Sequence, residues 1–195
     1  PETTIAINNS CFAQLDCAFT INWEKLPRLV HIYDSAFAQS GLTGVIHPVQ
    51  STYMMRIRND AFYQTNIVEA DFSDVSLEDY GESALADCKQ LQSVSFGWVC
   101  RKSDGEFMSI IPNGSFYGCD ALTDLYFTTE KPIGLLTWYP HAPFQFADGI
   151  YDRNIRIHVP EGCEEAYFRA WKPMFIGYTD EEIENGTYYI DMSMF

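Results

Sequence analysis

Basic residues are scarce in this chain. Only 12 Lys and Arg stand against 27 Asp and Glu in 195 residues, a formal net charge of −15. Such a field repels phosphate backbones and anionic headgroups, and no local cluster of Lys and Arg overrides it, so no nucleic-acid partner is expected. Long apolar runs are missing as well. None reaches the roughly 18 to 20 residues that cross a bilayer, and the opening PETTIAINN has neither the basic flank nor the apolar stretch of a secretion signal. No membrane insertion is expected within this segment. The six cysteines, at 11, 17, 88, 100, 119 and 163, include no CxxC pair. His31, His47, His141 and His158 are scattered and form no zinc-type spacing with them. No metal and no other cofactor are therefore expected. GxSxG elbows, P-loops and GxGxxG turns are absent, which removes the common hydrolase, nucleotide and dinucleotide fingerprints. Acidic pairs such as Asp79 with Glu82, or Asp148 with Asp152, read as solvated loop charge rather than acid/base or Ca²⁺ chemistry.

Aromatic residues are plentiful, at 15%, within a 47% hydrophobic composition, enough for one folded unit with a sizeable core. They recur. SCFAQL (10–15), SAFAQSGL (35–42), DAFYQTNI (60–67), SALADCKQL (83–91) and GSFYGCDAL (114–122) share an aromatic or Leu anchor set among small residues. The anchors Phe12, Phe37, Phe62, Leu85 and Phe116 lie 25, 25, 23 and 31 residues apart, the last interval carrying an insertion. Five residues before them stand Ile7, Ile32, Ile57, Tyr80 and Ile111. After each anchor comes an alternating stretch, AFTINW, LTGVIH, IVEADF, LQSVSF or LTDLYF, as expected of a strand with one buried face. A unit of this size cannot bury its own anchor, so the units are expected to stack. The anchors then form one internal column, and Ile21, Val45, Ala70, Val94 and Leu125 form a second beneath the strands.

This pattern resembles the BspA-type, or Treponema-type, leucine-rich repeat, most fully in SALADCKQLQSVSF and GSFYGCDALTDLYF. NIRIHVPEGCEEAYFRAWKPMF (154–175) is similar to that family's closing strand and short helix. The resemblance implies a β-rich solenoid, a right-handed ladder with short turns or 3-10 segments and a C-terminal helical cap. Departures are Leu85 in place of Phe at one anchor, Tyr80 in place of Ile, His47 where an inward aliphatic residue is expected, and a poor match over 128–153, where Phe144 or Phe146 could anchor a sixth unit. The domain expectation is a repeat domain of five to six rungs and cap over 1–178, then an acidic tail or small hairpin over 179–195. In the cap, Tyr167, Ala170 and Trp171 fall on one face of a helix running from Cys163 to Trp171. Cys88 and Cys119, three residues after their anchors, are expected to be reduced and buried, because stacked side chains run parallel and separate their β-carbons too far for a relaxed bridge.

Alternation assigns two solvent-facing columns: Asn22, Ile46, Asp71, Ser95, Tyr126 and His158 in one, and Thr20, Gly44, Glu69, Ser93, Asp124 and Arg156 in the other. Apart from Gly44, these are the candidate binding residues, and no catalytic residue is assigned. The resemblance implies a noncatalytic protein-recognition module, a bacterial surface or secreted protein of adhesion or host contact, with its signal or anchor trimmed from this chain. The expected partner is a protein, such as a host extracellular-matrix or other surface protein, and the expected state is a monomer. The alternatives are a structural spacer within a larger surface protein and, third, an enzyme.

Overall fold

The computed structural model describes residues 2–49, 54–103, 106–112, 114–135 and 155–171. In chain order the strands are β1 (Ala6–Ile7), β2 (His31–Ile32), β3 (Thr43–Ile46), β4 (Met55–Ile57), β5 (Asn66–Phe72), β6 (Leu77–Tyr80) and β7 (Ser93–Phe96). They continue as β8 (Arg101–Ser103), β9 (Glu106–Met108), β10 (Ile110–Ile111), β11 (Asp124–Phe127), β12 (Gly134–Leu135) and β13 (Arg156–His158), followed by the helix α1 (Glu164–Trp171). Two parallel sheets carry the architecture, ordered β1-β2-β4-β6 and β13-β11-β7-β5-β3. Parallel sheets built from regularly spaced strands, with one helix, fit a repeat, solenoid-like fold.

The anchor spacing becomes an aromatic stack. Phe12, Phe37 and Phe62 lie nearly parallel, with centroids 5.2 and 5.3 Å apart and planes within 3° and 4°. Leu85 and Phe116 are buried completely. Four members of the earlier aliphatic column form the inward face of the first sheet, where Ile7, Ile32, Ile57 and Tyr80 pair in register, whereas Ile111 lies on β10, which pairs with β12 in a separate sheet. Ala70, Val94, Leu125 and Ile157 do the same in the second sheet.

Each anchor sits in a turn with a left-handed residue two positions before it and two after. Ser10, Ser35, Asp60, Ser83 and Gly114 fill the first place, and Gln14, Gln39, Gln64, Asp87 and Gly118 the second. Left-handed backbone is costly for non-glycine residues. Hydrogen bonds between coils offset it: Gln14 and Gln39 donate backbone N–H to the carbonyls of Ala38 and Tyr63, and Phe37 and Phe62 to those of Ala61 and Ala84. Side-chain amides extend the ladder from Gln14 to Gln39 and from Gln39 to Gln64.

Two of the departures from the repeat pattern, Leu85 and Tyr80, share one coil. Leu85 is smaller than the Phe of its neighbours and Tyr80 larger than their Ile, and both are fully buried, so volume removed at the turn returns at the strand. The Tyr80 ring meets Phe96 edge-on at 5.5 Å. The 31-residue interval contains the antiparallel hairpin β8–β9, which is the expected insertion.

Cys88 and Cys119 are buried free thiols, but they are more than fillers of space. Cys88 donates to the Phe62 carbonyl at 3.1 Å and Cys119 to that of Leu85 at 3.1 Å, so each thiol ties its coil to the preceding anchor. Thr65 reaches the Phe62 carbonyl at 2.9 Å from the same repeat position. Burial pushes the Cys88 thiol up to about 11 and raises Cys119 in the same direction.

Phe12 does not join the interior as expected. It stacks on Phe37 but stays 37% exposed, because no described coil lies beyond it. At the other end, Tyr167 and Trp171 of α1 are buried against Phe127, and their polar tips bond the carbonyls of Thr129 and Ile133. The expected sixth unit around Phe144 or Phe146 and the tail over 179–195 lie outside the described residues.

Candidate functional site

The outward face of β3, β5, β7, β11 and β13 is the candidate site. Register places Val45, Glu69, Ser93, Asp124 and Arg156 in one row across the strands. Asp71, Ser95, Tyr126 and His158 form the next, and His47 extends it by bonding Asp71 through Nδ1 at 3.0 Å.

The expected phase fails in β3. Ile46 is buried, at 1% exposure, and Val45 is 45% exposed, the reverse of the alternation read from LTGVIH. The pairing with β5 slips between Gly44 and Val45, leaving Val68 as an extra residue, and Gly44 adopts φ +88 at that irregularity. A single slip exchanges the two faces. His47 accordingly points outward rather than into the core. One coil earlier, Trp23 fills the core while Ile21 packs at its margin, and Trp23 Nε1 donates to the Val45 carbonyl at 2.9 Å. Thr20 and Asn22 are exposed there, on a coil joined to β3 by the Phe19 to Leu42 bridge. Val45 and His47 therefore belong to the face and were missed. Their signal was the glycine preceding a β-branched pair.

Asp124 was expected in the solvent column but is only 8% exposed. Its carboxylate accepts from His158 Nε2 at 2.8 Å, Arg156 Nη2 at 3.0 Å and the Thr123 hydroxyl at 2.9 Å. The bond to His158 leads in holding its pKa down to about 2, assisted by Arg156 and Thr123 and opposed by burial. The role of Asp124 on this face is thus to fix its neighbours. His158 lies flat on Tyr126, with centroids 4.2 Å apart and planes 9° apart, so the carboxylate positions an aromatic pair. Tyr126 is 39% exposed. At the opposite edge, burial works against ionisation of Asp71, but hydrogen bonds from Ser73 and the pairing with His47 outweigh it and lower its pKa.

The small residues Ser93 and Ser95 thus stand on the central strand β7, with the Tyr126–His158 stack towards one edge of the sheet and Val45 and His47 at the other. Glu69 and Asp71 are partly exposed beside the serines, and Arg156 is exposed at the rim. Among the described residues, no three His, Cys, Asp or Glu side chains gather as a metal-binding set. No described helix is long and apolar enough to cross a membrane.

Comparison with known proteins adds one match. A family model for the BspA type leucine rich repeat region fits residues 3–134 as six copies. Searches of curated proteins and of solved structures found no match.

Proposed function

The chain belongs to the BspA-type leucine-rich repeat family, and from that premise we propose that it is a noncatalytic recognition module of a bacterial surface or secreted protein, used in adhesion or host contact. Leucine-rich repeats are protein-interaction modules, and the proposed contact surface is the face of β3, β5, β7, β11 and β13. The observation that carries this reading is the Tyr126–His158 stack, an exposed aromatic pair pinned by a buried carboxylate beside the serines of β7. A few anchors, among which Tyr is enriched, carry most of the energy of a protein interface. The net charge of −15 favours a partner with a basic patch. In this reading residues 1–178 act as one right-handed, monomeric ladder closed at its C-terminal end by α1, with 179–195 as a separate tail or hairpin.

A surface-resonance screen against purified extracellular-matrix proteins tests the proposal. Tyr126→Ala and Ser95→Arg should each weaken the binding found by about tenfold or more, which is 1.4 kcal/mol, while the melting temperature stays unchanged. Binding unaffected by either variant would reject this face. No binding anywhere in the screen would favour the spacer role.

A further inference from the structure

The first sheet has an outward face of its own. Because Ile7, Ile32 and Ile57 point inward, alternation turns His31 and Arg56 outward in one row, and Asn8, Tyr33 and Arg58 in the next. These side chains, with Asn9 and Asp34, line a groove of about 630 Å³ across three coils. That volume falls within the roughly 300–1,000 Å³ typical of small-ligand sites. The groove lies on a different sheet from the proposed protein-binding face.

Its chemistry is mixed in a particular way. The His31 and Tyr33 rings stand 5.5 Å apart and tilted by 35°, presenting an aromatic wall. Arg56 is held along its Nε–Nη2 edge by Glu78, at 2.8 and 2.6 Å, and Arg58 is held through Nη1 by Asp79. A guanidinium carries five N–H donors, more than these contacts use. Both arginines are thus oriented donors rather than unneutralised charge. Asn8 and Asn9 supply amide donors and acceptors, and Asp34 supplies an acceptor. The buried Nδ1 of His31 has no hydrogen-bond partner among the described residues. Burial, aided by Arg56, lowers the His31 pKa, which favours the neutral ring.

Charge decides which ligand fits. Two guanidinium groups face three carboxylates, Asp34 in the groove and Glu78 and Asp79 beside it on β6, inside a strongly acidic chain. An anion gains little there. An uncharged ligand rich in hydroxyls, each both donor and acceptor, and with C–H faces to lay on a ring, uses every feature. We propose that this groove is a binding site for a neutral saccharide, formed by the aromatic wall and the fixed guanidinium and amide groups.

The test is ligand-observed NMR and calorimetry on the full chain. The probes are neutral oligosaccharides ending in galactose, mannose or N-acetylglucosamine, with a heparin tetrasaccharide and an oligoglutamate peptide as charged controls. At least one neutral probe should bind, with little change when salt is raised. Tyr33→Ala, and Asn8→Ala at an exposed position where folding is not at stake, should each weaken it by about tenfold or more. Tyr126→Ala on the other sheet should leave it unchanged. The proposal is overturned if no neutral probe binds, if binding survives both groove variants, or if only the charged controls bind and salt abolishes that binding.

Discussion

Replacing Phe62 with alanine removes a ring that is fully buried and stacked on Phe37 at 5.3 Å. The coils on either side are tied at this position, since Phe62 donates N–H to the Ala84 carbonyl and accepts from Cys88 at its own, while Phe37 of the preceding coil donates N–H to the Ala61 carbonyl. These ties hold the coils at their spacing, so the site cannot collapse to fill the void. A Phe→Ala change in such a setting costs about 3–5 kcal/mol. Phe12→Ala is the internal control, the same chemistry at a ring that is 37% exposed. Its loss leaves a notch open to water rather than a cavity, and burial of part of a Phe side chain accounts for only about 1–2 kcal/mol.

Urea titration followed by both circular dichroism and tryptophan fluorescence measures the two variants against the parent chain. The two probes are needed because stacked repeats can unfold unevenly. For a chain of this size each kcal/mol moves the melting temperature by roughly 2–4 °C, so Phe62→Ala should lower it by about 10 °C and Phe12→Ala by a few degrees. Equal losses, or a Phe62→Ala cost below about 1.5 kcal/mol, would refute the stacked spine as the source of stability.

The paired departures Leu85 and Tyr80 predict a strong coupling. Leu85→Phe alone should overpack the coil by about 1–3 kcal/mol, and joining it to Tyr80→Ile should recover at least about 1 kcal/mol of the summed losses in a double-mutant cycle; strict additivity would show that the two sites do not exchange volume. Asp124, with its folded pKa near 2, stabilises the fold fully above the ordinary carboxylate pKa of about 3.8 and loses that contribution as pH falls through 2. Its partner Arg156 is well exposed, so solvent screening reduces the effect to about 1 kcal/mol. Stability measured from pH 5 to 2 should fall more steeply in the parent chain than in Asp124→Asn, and parallel curves would contradict the bonding described. Native-state alkylation near pH 8, read by mass spectrometry, should modify exposed Cys11 and Cys17 and spare buried Cys88, Cys100 and Cys119, whose thiols burial disfavours ionising. Labelling of Cys88 before unfolding would show that the coil interface opens.

Periodicity identifies equivalent residues, and that much of the fold was legible: the anchors, the aliphatic column five residues before them, the insertion before Phe116 and the Tyr167–Trp171 face of the helix. It does not set the phase of a strand. In β3 one irregularity at Gly44 exchanged Val45 and Ile46 between core and solvent, and the short motif LTGVIH is consistent with either phase. Exposure was also misjudged at Asp124, because alternation reports the direction of a side chain and says nothing of what folds over it; the cover comes from Arg156 and His158, more than 30 residues away.

The second face was overlooked for a different reason. Once Ile7, Ile32 and Ile57 are read as inward, the same rule turns His31, Tyr33, Arg56 and Arg58 outward, and these residues are visible in the sequence. What spacing alone cannot supply is their electrostatic state. Arg56 and Arg58 look like free cations until Glu78 and Asp79 on the next coil are placed against them. Between these stacked repeats, a charge is balanced by the residue one coil away at least as much as by its neighbours in sequence. The ligand preference of such a face therefore has to be argued across the coils, and here that balance is what disfavours an anion and favours a neutral, hydroxyl-rich ligand.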